Sequence, residues 1–418
     1  MVNCSIITIG DELLIGQVID TNSAWMAQQL NKIGIPVTRR VAVGDNVDAI
    51  WKALDEESLH AEIILLTGGL GPTADDITKP LLCKYFGGTM IMNKDVLDHV
   101  TNLFEMIFKR PLSEVNRKQA EVPDCCTVIP NQRGSAPGML FEKAGKIFIS
   151  LPGVPHEMKG IMDTGVLPML AKKYNLAPIQ HRTLLTAGIG ESMLAAMIKD
   201  FEENLPSHIS LAYLPNFGMV RLRLSAAVSN DTVGNEIDEL FTRLQFEVKE
   251  FLVTNVDEPM QEVVGKLLIE RKKTIATAES CTGGFISHLL TTIPGSSSFY
   301  NGSIISYSNK TKQDLLEVNE MTLEKMGAVS EDVVKEMLTG ILKKIPSDYA
   351  IAVSGIMGPG GGSEEKPVGT VWIAVGNNSR IETQKVHFRF ERNRNIELTA
   401  IHALNMLRKF VLETIRKE

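Results

Sequence analysis

The sequence predicts a multidomain α/β protein, with a helix-covered and largely parallel sheet at each end of the chain and a small α+β domain between them. Three observations lead there. The chain has 418 residues, room for two to four domains at roughly 100–200 residues each. Short β-rich apolar runs alternate with helical patterns near both ends, the signature of parallel strands joined by helices. Between them the texture changes to strands with strict alternation.

The first alternation runs through a strand at Cys4–Ile9, a helix over about Thr21–Ile33, a strand at Val37–Val43, a helix near Val47–Ser58 and a strand from Glu62 to Leu66. In the first helix Trp25, Met26, Leu30 and Ile33 recur at helical spacing behind an Asp20 or Thr21 cap, so they are expected in the core. The pattern continues past the turn at Pro152 to a closing helix ending near Leu170. From about Tyr174 to Thr254, HISLAYLP and MVRLRLSAAV read as two strands around Asn216-Phe217-Gly218, with helices near Glu191–Glu203 and Thr232–Phe251. Arg221 and Arg223 alternate with Leu222 and Leu224, as on a half-buried strand with a solvent face. A helical stretch after Asp257-Glu258-Pro259 opens the last α/β pattern, which ends in a helix over Asn395–Lys417. The expected domains are therefore residues 1–172, 173–256 and 257–418.

Composition narrows the classes of function. Hydrophobic residues make up 44% and charged residues 22%, the balance of a folded globular chain. The net charge is −7, with Lys and Arg scattered, so no footprint for a nucleic-acid backbone is expected. Five cysteines without a C-x-x-C pair indicate neither a disulfide framework nor a zinc knuckle, and fit a reducing cytoplasm. No apolar run reaches the roughly 18 residues of a membrane span, and no basic, cleavable leader opens the chain.

Near the C-terminal end, a strand at Thr274–Ala278 and an apolar helical face of Phe285, Ile286, Leu289, Leu290 and Ile293 enclose Ser280-Cys281-Thr282-Gly283-Gly284 as a strand-to-helix turn. Helix N-terminal amides there can hold an oxyanion, and the glycines admit a substrate closely. No histidine is placed with an acidic partner, so the base expected for Ser280 is a lysine of lowered pKa. Lys312, in SIISYSNKTKQDLL with Tyr307, is the candidate, and Lys310 its rival. Taken alone, Ser280 also reads as a cap, Lys312 as an exposed helix charge and Cys281 as a competing nucleophile.

Near the N-terminal end, the strand before Thr67 runs into Gly68-Gly69-Leu70-Gly71-Pro72-Thr73-Ala74-Asp75-Asp76 and then a helix. Such a loop can cradle phosphate through its amides, at the strand ends where open α/β sheets bind ligands. Asp11, Glu12 and Asp45 follow strands in the same way. Carboxylates beside phosphate call for a divalent cation of the Mg type between them. Asp75 and Asp76 read equally as helix caps, and Asp11-Glu12 as a solvated turn.

The strings AESCTGG at 278–284, PGSS at 294–297, YSN at 307–309 with Lys312, GAVS at 327–330, GP at 358–359 and KPVGT at 366–370 resemble the CinA C-terminal domain from about Pro259 onward. GDELLIGQVIDTN, GGLGPTADDIT, NQRGSAPG at 131–138 and LPGVPHEM at 151–158 resemble the CinA N-terminal domain over about residues 3–170, itself similar to molybdopterin-binding domains. The resemblance implies a MoaB/MogA-like three-layer N-terminal domain and a C-terminal α/β/α amidase domain. For the latter it implies cofactor-free hydrolysis of nicotinamide mononucleotide to nicotinate mononucleotide and ammonia by Ser280, Tyr307 and Lys312. Cys281, Thr282, Gly283, Gly284, Ser354 and Gly355 would line the oxyanion and substrate site. Ser306 and Ser354 stand where the family pattern has Thr, and Met357 and Gly360 where it has Ala and Asp.

For the N-terminal domain the resemblance implies metal-dependent hydrolysis of ADP-ribose to AMP and ribose 5-phosphate. Gly68, Gly69, Gly71 and Thr73 would bind phosphate; Asp75 and Asp76, with Asp11, Glu12 and Asp45, would hold the metal; His156 and Glu157 would approach from the last helix, or equally serve a structural role at its end. The partners expected are these small molecules and a second copy in a homodimer, with neither nucleic acid nor membrane. A molybdopterin-binding or competence-related regulatory protein without catalysis is the competing expectation.

Overall fold

In the first unit, every residue of strand β1 (Cys4–Ile9) is buried, because the sheet it belongs to is covered on both faces. The computed structural model of the chain describes residues 2–73, 76–174, 176, 179–216, 218–226 and 231–415, so Asp75 and Phe217 lie outside the described residues. The chain divides into two compact units, one formed up to Gln180 and the other from His181 onward. β1, β2 (Val37–Val43), β3 (Ile63–Thr67) and β8 (Lys146–Leu151) run parallel, and β7 (Gly138–Lys143) and β6 (Thr127–Ile129) extend the sheet antiparallel in the order β2-β1-β3-β8-β7-β6. Short β4 (Met90–Met92) and β5 (Glu121–Pro123) pair separately.

Alternation along β1 separates two cores. Ile6 packs with Met26, Leu30 and Met158 on one face, and Ile7 and Ile9 pack with Ile50, Leu54 and Leu82 on the other. This three-layer arrangement is why the strands read as continuous apolar runs rather than alternating ones. The helix Thr21–Lys32 is capped by Asp20, whose Oδ1 accepts from the Ser23 amide at 2.9 Å. Met26 and Leu30 are buried as expected, whereas Trp25 and Ile33 pack only partly buried at the margin of the same core. The closing helix runs from Pro155 to Tyr174 through a π turn at Met162–Val166.

The second unit holds two sheets. β9 (Gln180–Ala187), β10 (Ile209–Asn216), β11 (Met219–Ala226) and β12 (Leu252–Thr254) form one in the order β10-β11-β9-β12. The alternation in the sequence marks β10 and β11; β9 and the three-residue β12 carry no such signal. Leu184, Leu222 and Leu224 pack against Ile237 and Leu244 of the helix Asp231–Glu247. On the opposite face Leu185, Ala187 and Met219 join Met260, Val264 and Leu398 in a core shared with the second sheet. Arg221 and Arg223 are partly exposed, and Arg221 Nε meets Asp257 at 2.8 Å.

The second sheet orders β13 (Ile275–Glu279), β14 (Tyr300–Ile305), β15 (Tyr349–Gly355), β16 (Thr370–Gly376) and β17 (Ile381–His387) as β14-β13-β15-β16-β17. The first three strands are parallel and the last two antiparallel. Residues of the helices Met260–Glu270, Phe285–Thr291 and Arg392–Ile415 share a core with Ile275, Ile351 and Ile373, while the helix Glu331–Lys344 packs with Ala276, Ala350 and Ala374 on the opposite side. The alanines make room for that helix. Among the described residues no helix is long and apolar enough to cross a membrane.

Close helix packing also fixes Gly340, where an added Cβ would stand 2.0 Å from the backbone oxygen of Leu316. Backbone cannot move aside as a side chain can. Gly340→Ala is therefore expected to destabilise the protein by about 1–3 kcal/mol, against the gain of about 1 kcal/mol that the exchange brings in an open helix. Thermal unfolding checks it, and a raised midpoint would contradict the packing argument.

Candidate active site

Parallel pairing brings the carboxyl ends of β14, β13 and β15 side by side. The Ser280 amide donates to the Val353 carbonyl at 3.1 Å, and the Ser306 amide donates to the Glu279 carbonyl at 2.8 Å. Ser280, Ser306 and Ser354 are thereby gathered at one sheet edge. The helix Asn309–Leu316 begins there, capped by Ser308, whose Oγ accepts from the Thr311 amide at 3.1 Å. One turn in, Lys312 points back under the sheet edge with 1% of its surface exposed.

Lys312 Nζ lies 2.9 Å from Ser280 Oγ, 2.8 Å from the Ser306 carbonyl and 3.3 Å from the Tyr307 carbonyl. None of these partners carries a charge. Burial of the cation without a carboxylate lowers the Lys312 pKa from the ordinary lysine value of 10.5. A neutral amine within hydrogen-bond reach of the Ser280 hydroxyl can take its proton, the geometry that a general base requires. The rival Lys310 is exposed.

The other expected members divide. The Tyr307 side chain is 63% exposed, and its hydroxyl accepts from Arg392 Nη2 at 3.0 Å rather than from Lys312. Only its backbone carbonyl touches the lysine. Arg392 Nη1 also donates to the Gly358 carbonyl at 2.8 Å, so the arginine links the start of the last helix to two loops at this edge. Cys281 cannot compete as nucleophile: its side chain packs in the apolar core, and burial pushes its thiol up to about 12. The Ser354 hydroxyl donates to the Ala328 carbonyl at 2.7 Å, and a Cβ on Gly355 would stand 2.7 Å from Val371 Cγ2. Both residues are thus held by local contacts at the end of β15.

The turn itself differs from the sequence expectation in one respect. Glu279, fully buried, accepts from the amides of Gly284 at 3.0 Å, Ile286 at 3.1 Å and Ser287 at 2.8 Å, and from the hydroxyls of Thr282 at 2.7 Å and Ser287 at 2.6 Å. A carboxylate within the chain therefore occupies the helix N-terminal amides expected to hold an oxyanion. No carbonyl or carboxylate among the described residues accepts from the amides of Cys281 and Thr282, next to Ser280. Gly283 and Gly284 take φ of 61° and 98°, left-handed values that side chains disfavour. A cavity lined by Thr282, Gly283, Gly284, His288, Asn393 and Glu397 opens beside the turn. Sequence reading missed Glu279 and Arg392; the one available signal was a lone acid closing an otherwise apolar strand.

In the first unit the glycine-rich loop also sits at the carboxyl edge of the sheet. Gly68 and Gly69 take φ of 120° and 64°, and a Cβ would stand 2.2 Å from the Ile9 carbonyl oxygen or 2.1 Å from Thr78 Oγ1, respectively. Asp76, expected to hold metal, instead accepts from the amides of Gly71 at 2.7 Å and Thr73 at 2.9 Å and from the Thr73 hydroxyl at 2.5 Å. These bonds take up donors expected for phosphate. Asp11 and Asp45 each accept the other's backbone amide, at 3.2 and 3.0 Å. Among the described residues no three His, Cys, Asp or Glu side chains converge as a metal site, so Asp11, Glu12, Asp45 and Asp76 alone do not make the expected ligand set. His156 is exposed; Glu157 is half-buried, its carboxyl raised by that burial, and accepts from Asn131 Nδ2 at 2.6 Å.

Helix-covered sheets with glycine-rich strand-to-helix turns define a multidomain α/β protein. Family models match in the same order: residues 5–172 fit a "probable molybdopterin binding domain", residues 181–256 a "damage-inducible protein CinA KH domain" and residues 257–411 the "CinA C-terminal domain". The chain is 44% identical over 409 residues to a CinA-like protein of Cytophaga hutchinsonii, covering 98% of each chain. It is 45% identical over 415 residues to a CinA-like protein of Flavobacterium psychrophilum, covering 99% of each. The chain belongs to the CinA family.

The Glu279 network gives a direct test of what shapes the turn. Glu279→Gln puts an NH2 group where one carboxylate oxygen accepts, leaving amides of the turn unpaired. Hydrogen bonds to a charged group are worth about 1.5–3 kcal/mol, and a loss of that size is expected in chemical denaturation. An unchanged midpoint would mean that glycine geometry alone holds the turn.

Proposed function

We propose that the C-terminal domain is an amidase that converts nicotinamide mononucleotide to nicotinate mononucleotide and ammonia, with Ser280 as nucleophile and Lys312 as base. The observation that carries this reading is the 2.9 Å approach of a buried lysine, paired with no carboxylate among the described residues, to a serine hydroxyl at a strand end. The neutral amine takes the Ser280 proton as Oγ adds to the amide carbon, and returns it to the departing nitrogen, releasing ammonia. Water then attacks the resulting ester by the same route, with Lys312 again as base, and frees the carboxylate product. The amides of Cys281 and Thr282 are the donors nearest in the chain for the oxyanion.

Ser280→Ala is expected to abolish ammonia release, and Lys312→Met to lower it by about 10²–10⁴-fold, both independently of chelator. Release in the parent should rise with pH as Lys312 loses its proton, with an inflection below the ordinary lysine value because burial depresses this group. Tyr307→Phe should retain most of the activity, since that hydroxyl joins Arg392 rather than the Ser280–Lys312 pair. A folded parent that releases no ammonia would refute the reading.

For the N-terminal unit we propose hydrolysis of ADP-ribose to AMP and ribose 5-phosphate with a divalent cation. Two adjoining cavities at the carboxyl edge of its sheet support it. Formation of AMP from ADP-ribose by the full chain, lost with chelator and retained in Ser280→Ala, is the expected result; no AMP in the presence of Mg²⁺ would overturn it.

A further inference from the structure

Two adjoining cavities of the first unit meet at Gly153, which lines both. The ridge between them is bare backbone. A Cβ on Gly153 would make an ordinary contact with the Gly68 Cα at 3.4 Å, whereas one on Gly68 would strike the Ile9 carbonyl at 2.2 Å, so at Gly68 no side chain can be added without displacing the chain. Each cavity also contains one carboxamide with a buried oxygen that no donor satisfies, Asn22 Oδ1 in the first and Gln119 Oε1 in the second. Gln119 as a residue is 1% exposed. Buried acceptors are nearly always paired, so two orphans in adjoining cavities require an account.

The Asn22 side chain is held in place. Asn22 Nδ2 donates to the Gly153 carbonyl at 2.7 Å and to Thr67 Oγ1 at 3.3 Å. Because only nitrogen can donate to a carbonyl, this bond fixes which way the amide faces and commits Oδ1 to the other side. At Gln119 it is the main chain that is fixed, its backbone carbonyl accepting from Lys79 Nζ at 3.0 Å, while the side chain is buried. The neighbouring polar side chains are carboxylates and hydroxyls in equal number: Glu12, Asp20, Thr8, Thr21 and Thr67 line the first cavity, and Asp76, Glu157 and Ser135 the second.

We infer that Asn22 and Gln119 are the specificity-determining residues of the first unit, each accepting a hydrogen bond from a hydroxyl or amine at one end of a single two-ended ligand that crosses the glycine ridge. A dinucleotide-like molecule, with donor-rich sugar or base groups at both ends of a narrow linkage, has that chemistry. This rests on the ADP-ribose reading and assigns the two ends of that ligand to different cavities.

Calorimetry on the full chain tests it with ADP-ribose, AMP and ribose 5-phosphate as separate probes, without added metal so that no turnover intervenes. Asn22→Leu and Gln119→Met, similar in volume and lacking the acceptor, should each weaken ADP-ribose at least tenfold, and each should weaken a different half-ligand while sparing the other within twofold. Gln119→Glu, which keeps an acceptor, should bind more tightly than Gln119→Met, a recovery that a merely misfolded site would not show. Variants with the parent's thermal midpoint that bind ADP-ribose within twofold of the parent, or that both weaken the same half, overturn the inference. A parent that binds a pterin phosphate but not ADP-ribose removes the ADP-ribose reading alone. The same variants titrated with the pterin then decide the residue assignment, upheld by tenfold losses in both and overturned without them. A parent that binds neither overturns both.

Discussion

Everything at the C-terminal site depends on where one buried carboxylate goes. Glu279 ends a parallel strand whose other residues are apolar or small, and both of its oxygens turn into the following loop to collect amides and hydroxyls from residues 282–287. That set of bonds ties the strand end to the helix start and leaves Ser280 at the bend. The ladder does the rest. Pairing of β13 with β14 and β15 brings Ser306 and the lysine that follows it to Ser280, so that Lys312 meets only neutral oxygens. A lysine so placed loses its ordinary basicity through desolvation, and the same burial that depresses its pKa sets it beside the hydroxyl.

The two units share a solution. In each, a glycine-rich turn at the carboxyl edge of parallel strands exposes amides, and in each a nearby acid closes part of them, Glu279 in one and Asp76 in the other. An internal carboxylate is covalently present at fixed distance and fills the anion-attracting end of a helix or loop. What remains open is narrower than the glycine pattern suggests. Among the described residues, in the second unit it is a pair of amides beside Ser280; in the first it is the amides of Gly69 and Leu70, with an unsatisfied carboxamide in each adjoining cavity.

The small sheet of β9–β12 uses both of its faces. One packs on its own helix and the other joins the core of the second sheet through Leu185, Ala187 and Met219. This explains the legibility of the region in the sequence. β11 shows clean alternation because partly exposed arginines separate fully buried leucines, whereas β10 carries its alternation in sequence with only Ile209 buried. β12, only three residues long, and β9, whose identity as a strand comes from its partners, show little that local periodicity can detect.

The sequence by itself determined the α/β class and the strand-to-helix turns with Ser280 and Gly68, because apolar periodicity and glycine punctuation are local properties. It also placed Ser280 and Lys312 in one site, through the resemblance of their surrounding motifs. Only the tertiary structure decided which amides are free, since Glu279 and Asp76 could as easily have faced solvent. It also decided that the Tyr307 hydroxyl turns to Arg392, 85 residues along the chain, and that Asn22 and Gln119 share one sheet edge. Those pairings arise from strand register and loop packing between distant segments, and no local pattern encodes a contact whose partner lies elsewhere in the chain.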